Sequence, residues 1–200
     1  MNVRLMALGL ALFSSLALAD QENYKIDDSH SFANWTIRHV ASKTAGTFND
    51  IKGTILIDRN NLQNSSIDVR INMLSVNSGH AKRDAHIKKE DYLDAYKFGE
   101  MHFVSSKVEA KGADEGILTG QLSLHGVTKE ISFPFKVLGF GDDPWGGYRI
   151  GVEAHTTLKA SDYGFTWPLK PNASVGDDIE IALLIEGVRF YPDAKPIPAK

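Results

Sequence analysis

Leu118-Thr-Gly-Gln-Leu-Ser-Leu-His-Gly-Val-Thr-Lys-Glu-Ile-Ser-Phe-Pro-Phe-Lys-Val137 reads as two strands around a tight turn. Leu118, Leu122 and Leu124 share one parity, and Ile131, Phe133, Phe135 and Val137 share one parity of the return strand. The other parity carries Thr119, Gln121 and Ser123, then Glu130, Ser132, Pro134 and Lys136. Successive side chains of a strand point to opposite faces, so this hairpin has one apolar and one polar face. Gly126 reads as the turn glycine between them. An antiparallel sheet with one apolar face must pack on a second sheet or roll up on itself.

The same period recurs outward from the hairpin. Ala33, Trp35, Ile37 and His39 share a face of Ser31–His39, Ile55 and Ile57 a face of Thr54–Asp58, and Ile67, Val69, Ile71 and Met73 a face of Ser66–Met73. Met101–Ser106 and Lys107–Ala110 lead into the hairpin, and Tyr148–Leu158 follows it. Asp178–Glu186 then gathers Ile179, Ile181, Leu183 and Ile185 on one face. Alternation is lost between about His80 and Tyr96, where charged residues and good helix formers predict a short helical segment across one end of the sheet. Roughly eight strands separated by Gly-, Asn- and Asp-bearing turns suit a closed up-and-down barrel, with a sandwich as the alternative.

Arg4, the apolar run Leu5–Leu16 and Ala17-Leu18-Ala19 have the form of an export signal cleaved near Ala19/Asp20, which predicts a periplasmic protein. The apolar run is short for a membrane span. The chain has no cysteine, so neither a disulfide nor a lipid anchor after the signal is expected. With Arg4 removed, the formal charge is one unit more negative than the −3 of the full chain. That speaks against a nucleic-acid partner, whose binders carry basic patches. About 180 mature residues suffice for one cored domain, 20–190, followed by a polar, proline-rich tail over 191–200.

Several motifs in order carry a family resemblance: Tyr24-Lys-Ile-Asp-Asp-Ser-His-Ser31, Trp35-x-Ile-x-His39, Gly46-x-Phe48 with Gly53, Arg83-Asp84-x-His86-Ile87, Tyr92-Leu93-Asp94, Phe103-x-Ser105, Leu122-x-Leu-x-Gly126-Val-Thr-Lys129 and Asp162-Tyr-Gly164. Together they resemble the YceI-like family of exported bacterial proteins over about Tyr24 to Glu186. The resemblance implies an eight-stranded, lipocalin-like antiparallel β-barrel whose apolar tunnel takes long-chain amphiphiles such as polyisoprenoids or fatty-acid derivatives. The chain departs from the family pattern at Gly99-Glu100, where Pro is common, and at Lys159, where Arg is common.

In a closed barrel the apolar parities become the wall. Trp35, Ile37, Ile55, Ile57, Val69, Ile71, Phe103, Leu122, Leu124, Phe133, Phe135, Val152, Ile181 and Leu183 are the candidate ligand contacts, with His39 at the tunnel mouth. Small inward residues at Ala33, Gly120, Ala154 and Thr156 are compatible with a void. The competing reading is an interior plugged by its own side chains. Arg83 is the candidate for a ligand head group, although Arg83 and Asp84 are more simply read as pinning the helical segment to the rim. His30, with Asp27 and Ser31, reads as a polar knot at the start of the first long strand.

For chemistry the chain offers little. No HxH, HExxH or HxxxH pair and no GxSxG elbow occurs, so no cofactor, metal or catalytic residue is expected. A cross-strand metal site from His39, Asp84, His86 or His155 would make an enzyme the alternative. An outer-membrane barrel and a ligand-free barrel acting as a stress or adhesion partner are two further alternatives. The leading expectation is a non-enzymatic carrier or sequestering protein with a lipid or isoprenoid partner, with homodimerisation left open.

Overall fold

The computed structural model describes residues 21–192; the stretch expected to be an export signal and nearly all of the proline-rich tail lie outside them. The strands are β1 (Gln21–Ile26), β2 (Phe32–His39), β3 (Ser42–Phe48), β4 (Ile51–Asp58), β5 (Ser66–Asn72), β6 (Val76–Asn77), β7 (Glu100–Ala110), β8 (Glu115–Leu124), β9 (Val127–Asp142), β10 (Tyr148–Lys159) and β11 (Val175–Phe190). A single α-helix, α1 (Ala81–Ile87), lies among the described residues. These strands make eight staves. β1 and β2 are halves of one stave, broken by a 3-10 turn over Asp28–His30. β3 and β4 form the next, and β5 and β6, interrupted at Met73–Ser75, the third.

β11 pairs with β10 along one edge and with β2 and then β1 along the other, all antiparallel. This closes the ring β1-β4-β5-β7-β8-β9-β10-β11. The result is a closed, eight-stranded, antiparallel, lipocalin-like barrel, and the sandwich alternative falls. Closure leaves no open edge in the ring and forces one parity of every stave inward. The outward parity carries Asp68, Arg70 and Asn72 on β5 and Thr119, Gln121 and Ser123 on β8. An outer-membrane barrel needs the reverse, an apolar outer band, so that alternative also falls.

The β8–β9 hairpin pairs Leu124 with Val127 and Leu118 with Phe133, so the apolar parities of both strands face inward together. His125 and Gly126 both have positive φ, 52° and 77°, as a two-residue turn matched to strand twist requires. A Cβ on Gly126 would come within 2.9 Å of the Phe98 ring. His125 does more than turn the chain. Its Nδ1–H donates to the Tyr163 carbonyl at 3.0 Å, and its ring lies between Phe98 and Phe165, with centroids 4.3 Å from each.

The stretch read as two strands over Met101–Ala110 is one strand, β7, with a bulge between Ser105 and Lys107 that keeps both Phe103 and Val108 inward. Gly120, read as compatible with a void, leaves none of its own: a Cβ there would meet the Phe103 ring at 2.6 Å, so the phenyl already fills the space. β1 and β3 lack a readable apolar alternation. In β3 the inward positions are Thr44, Gly46 and Phe48, paired with Ile37, Trp35 and Ala33. Gly46 is required by its neighbours. A Cβ would sit 2.4 Å from Trp35 Cζ2 and 2.6 Å from the Asn77 carbonyl oxygen. Gly46→Ala is therefore expected to lose about 1–3 kcal/mol through displacement of the indole. Thermal unfolding checks this, and an unchanged midpoint would show that β3 yields freely.

Candidate ligand-binding tunnel

The barrel is hollow. Two apolar cavities lie along its axis, with about 120 Å³ and about 290 Å³ open to the centre of a water molecule. Both are walled in part by Phe48, Met101, Leu158 and Ile181, so these four side chains form the waist between them. Ile55, Ile57, Val69, Ile71, Phe103, Leu122, Phe133, Phe135, Val152 and Leu183 line the lower cavity. Trp35, Ile37, His39, Leu124 and Arg83 line the upper one, and Ile181 faces both. The structure thus brings every proposed wall residue to a cavity surface. Val69, Ile131, Phe135, Val152, Ile181 and Leu183 project inward from the staves yet are only partly buried. A plugged interior packed to ordinary protein density would bury them fully, as it does Ile51 and Ile150.

Below the lower cavity the inward parity turns polar and aromatic. Glu22 and Tyr24 lie opposite the inward Ile57 and Ile55, and Arg189 lies opposite Tyr24. Arg59 donates to Glu22 at 2.6 Å, to the Tyr24 hydroxyl at 3.1 Å and to the Tyr148 hydroxyl at 3.2 Å, and its guanidinium lies 3.7 Å from the Phe140 centroid. Arg189 donates to the other Glu22 oxygen at 3.3 Å. Burial, and then the bond to Glu22, push the Tyr24 hydroxyl up to about 12. Burial would raise Glu22 too, but the Tyr24 hydroxyl and Arg59 outweigh it and hold the carboxyl below its usual range. This network lies at the Arg59 end of the barrel.

The opposite end is built from segments without strand period. Asp84 accepts from the Ser78 backbone N–H at 2.8 Å and from the Ser78 hydroxyl, while Arg83 Nε donates to Ser78 Oγ and Arg83 Nη2 to the Ser78 carbonyl, both at 2.7 Å. Arg83 and Asp84 therefore pin α1 to the end of β6 through Ser78. Behind α1 stand rings that the sequence reading did not assign to the wall. Tyr92 lies 5.6 Å from Trp167, and Trp167 stacks on Phe165 at 4.5 Å. All three line the upper cavity. Tyr92 is embedded in a charged run, and Phe165 and Trp167 sit in a loop, so periodicity could not mark them; Tyr92-Leu93 and Asp162-Tyr-Gly164 were visible as motifs only. His39, Arg83 and His86 line the upper cavity while exposed to solvent, so the cavity opens there under a basic, polar rim.

The polar knot at His30 is present and larger than expected. Asp27 accepts from the Ser29 hydroxyl at 2.6 Å, from His30 Nδ1–H at 2.9 Å and from Arg149 Nη1 at 2.7 Å. Arg149 also donates to Glu186 and, at 2.8 Å, to Asp143. Ser31 Oγ donates to the Glu186 carbonyl at 3.2 Å. Asp27, His30 and Glu186 are the one group of three among the described residues with ligand atoms close enough for a metal, within 4.8 Å of one another. Arg149 already bridges two of them and supplies the positive charge. His39, Asp84, His86 and His155 form no such group.

The Ser29 hydroxyl first, then Arg149 and His30, hold the Asp27 carboxyl well below its usual range against the effect of burial. A depressed folded-state pKa stabilises the fold above the unfolded carboxyl value of about 3.9, and that contribution is lost as pH falls below it. Asp27→Asn is therefore expected to melt lower than the wild type at pH 7, and to lose less between pH 7 and pH 3. Parallel melting curves for the two proteins would remove Asp27 from the acid response.

A closed antiparallel barrel, polar outside and hollow and apolar inside, defines a lipocalin-like barrel. A family model for the YceI-like domain matches residues 24–187, and the chain belongs to the YceI-like family. A UPF0312 protein of Pseudomonas aeruginosa (strain LESB58) is 40% identical over 187 residues, covering 92% of this chain and 95% of the relative. A UPF0312 protein of Shewanella sp. (strain ANA-3) is 38% identical over 185 residues, covering 91% and 95%. Among solved structures, the Campylobacter jejuni YCEI protein matches with a TM-score of 0.66 at 28% identity, covering 73% of this chain and 85% of its own. Burkholderia cenocepacia BcnA matches with a TM-score of 0.73 at 20% identity, covering 80% and 98%. A polyisoprenoid binding domain from Saccharophagus degradans matches with a TM-score of 0.63 at 20% identity, covering 83% and 98%. These last two share the fold.

Proposed function

We propose that the protein binds a long-chain amphiphile, a polyisoprenoid or fatty-acid-like lipid, along the barrel axis and carries or sequesters it in the periplasm without catalysing a reaction. The observation that carries this reading is the pair of adjoining cavities with a mainly apolar lining, the polar exceptions being Ser65, Ser66 and Thr156 in the lower one and Thr44, His39, Arg83 and His86 in the upper one. The tail would lie against the proposed wall, from Leu183, Phe135 and Val69 up to Ile181 and Ile37, with the polar end at His39, Arg83 and His86. The fold shared with a polyisoprenoid binding domain and the form of the first nineteen residues support the reading.

Burial gives roughly 0.8 kcal/mol per methylene, so ten methylenes contribute about 8 kcal/mol. Immobilising the chain removes part of that. Micromolar binding, about 8 kcal/mol, therefore needs a somewhat longer tail or one rim contact. The test is to purify the full chain gently from the periplasmic fraction, record its native mass and extract it with organic solvent. A stoichiometric lipid is the expected result. The bare chain mass together with no uptake of a fluorescent lipid overturns the reading.

A further inference from the structure

At the end where the upper cavity opens, two large apolar side chains stand in solvent. Val40 is 61% exposed and Leu169 is 70% exposed. Val40 and Ala41 form the two-residue turn between β2 and β3, with His39 paired to Ser42 across it. Val40 sits at φ 53°, a left-handed conformation that Gly, Asn and Asp adopt readily and a β-branched side chain does not. Neither burial nor turn chemistry accounts for a valine there, and an exposed outlier of this kind points to use by a partner. The turn is fixed to the loop that carries Leu169. The Val40 N–H donates to the Ser174 carbonyl at 2.6 Å, and Arg38 Nη2 donates to the Ala173 carbonyl at 3.1 Å. Both tips stand beside the opening, since His39, next to Val40, and Trp167, two residues before Leu169, line the upper cavity.

The same end is basic in a chain that is otherwise acidic. Residues 38–42, 77–98 and 165–174, which make up this end, hold seven Lys and Arg against four Asp and Glu, whereas the other described residues hold twelve against nineteen. Of the seven, all but Lys88 are exposed. Acids in the flanking segments are taken up locally. Asp162 pairs with Lys129 and Asp178 with Lys159, while Asp177 accepts from the Ser161 N–H and hydroxyl. We propose that this end docks on an anionic lipid surface, with Val40 and Leu169 entering the head-group layer and the surrounding lysines and arginines meeting lipid phosphates. Exposed apolar side chains flanked by cations suit such a surface, because burial of the first and attraction of the second add together. A neutral or basic partner would gain nothing from the cations. The docking goes beyond the carrier reading and does not depend on it. That reading supplies its use, since contact here lets a chain pass between the bilayer and the upper cavity without crossing water.

Protein purified from the periplasmic fraction is to be mixed with vesicles of phosphatidylcholine alone, and of phosphatidylcholine with about one-third phosphatidylglycerol, and the bound fraction read by sedimentation. The wild type is expected to bind the anionic vesicles about tenfold or more tighter than the neutral ones. Val40→Asn combined with Leu169→Gln is expected to weaken binding to the anionic vesicles about tenfold or more. Val40→Asn alone should melt at or above the wild type, because Asn tolerates a positive φ, so its loss of binding cannot be a loss of fold. All variants share one N-terminal sequence, so differences among them belong to the two tips. Full binding by the folded double variant, or equal binding of the wild type to both vesicles, overturns the proposal. A wild type that stays off both vesicles overturns it too, and a dimeric native mass that the double variant lacks would then assign the face to a second copy of the chain. None of these outcomes touches the carrier reading, which falls only if the protein neither carries nor takes up a lipid.

Discussion

Ile181→Trp is expected to abolish uptake of a long chain while leaving the barrel folded. Ile181 projects inward from β11, paired with Trp35 on β2 and Thr156 on β10, and it borders both cavities. Beside the waist the larger side chain would project into cavity space and not into packed core, so its folding cost should sit at or below the 1–3 kcal/mol usual for overpacking. Closing the waist removes one chamber from the ligand. If about eight methylenes lose their burial, roughly 6 kcal/mol is forfeited. Even half of that weakens binding more than a hundredfold. An eight-carbon probe short enough for the upper chamber should bind the variant nearly as well as the wild type. Titrating both proteins with an eighteen-carbon and an eight-carbon probe decides the matter. Unchanged affinity for the long chain would mean that the two chambers are not one path.

Phe165→Ala is expected to cause the largest loss of stability of any change described. Phe165 is 2% exposed and stacks between His125 and Trp167, with centroids 4.3 Å and 4.5 Å away. It joins the β8–β9 turn to the loop that backs the upper cavity. Truncation removes the transfer energy of the ring and leaves a hole that the stacked neighbours can only partly fill, a loss of about 3–5 kcal/mol. For a domain of this size the melting midpoint should fall by roughly 10 °C. Tyr96→Ala, at a residue 79% exposed, is the control and should move the midpoint little. A shift for Phe165→Ala no larger than the control's would show that the aromatic stack is not what secures this end.

Much of the wall was legible in the sequence because strand period is local. Once Leu118–Val137 shows one apolar parity, Leu122, Leu124, Phe133 and Phe135 must share a face, whatever that face touches. The same holds for Val69 and Ile71, or Ile181 and Leu183. β3 was not legible because its inward positions are Thr44, Gly46 and Phe48, and the middle one is small to admit a ring from another stave. Gly120 misled for the same reason: a missing side chain looks like space, but Phe103 from β7 fills it. Phe165, Trp167 and Tyr92 were not assigned to the wall because loop and helical-turn residues carry no period-two signature. The Arg59–Glu22–Tyr24 network was hidden as well, since Arg59, in the turn after β4, reaches Glu22 and Tyr24 on β1 and Tyr148 on β10, and Glu22 also takes Arg189 from β11.

By itself, then, the sequence determined a meander of alternating strands with an apolar face to hide, an unpatterned segment near residues 80–96, and the ordered motifs of the YceI-like family. Local backbone geometry carries all of that, through the two-residue repeat of a strand and the positive φ angles of its turns. Only the tertiary structure decided that the face closes on itself, that its centre is hollow, and that an ion-paired network gathers at one end while the upper cavity opens beneath His39, Arg83 and His86. Those properties depend on which staves meet and how much volume their side chains leave between them.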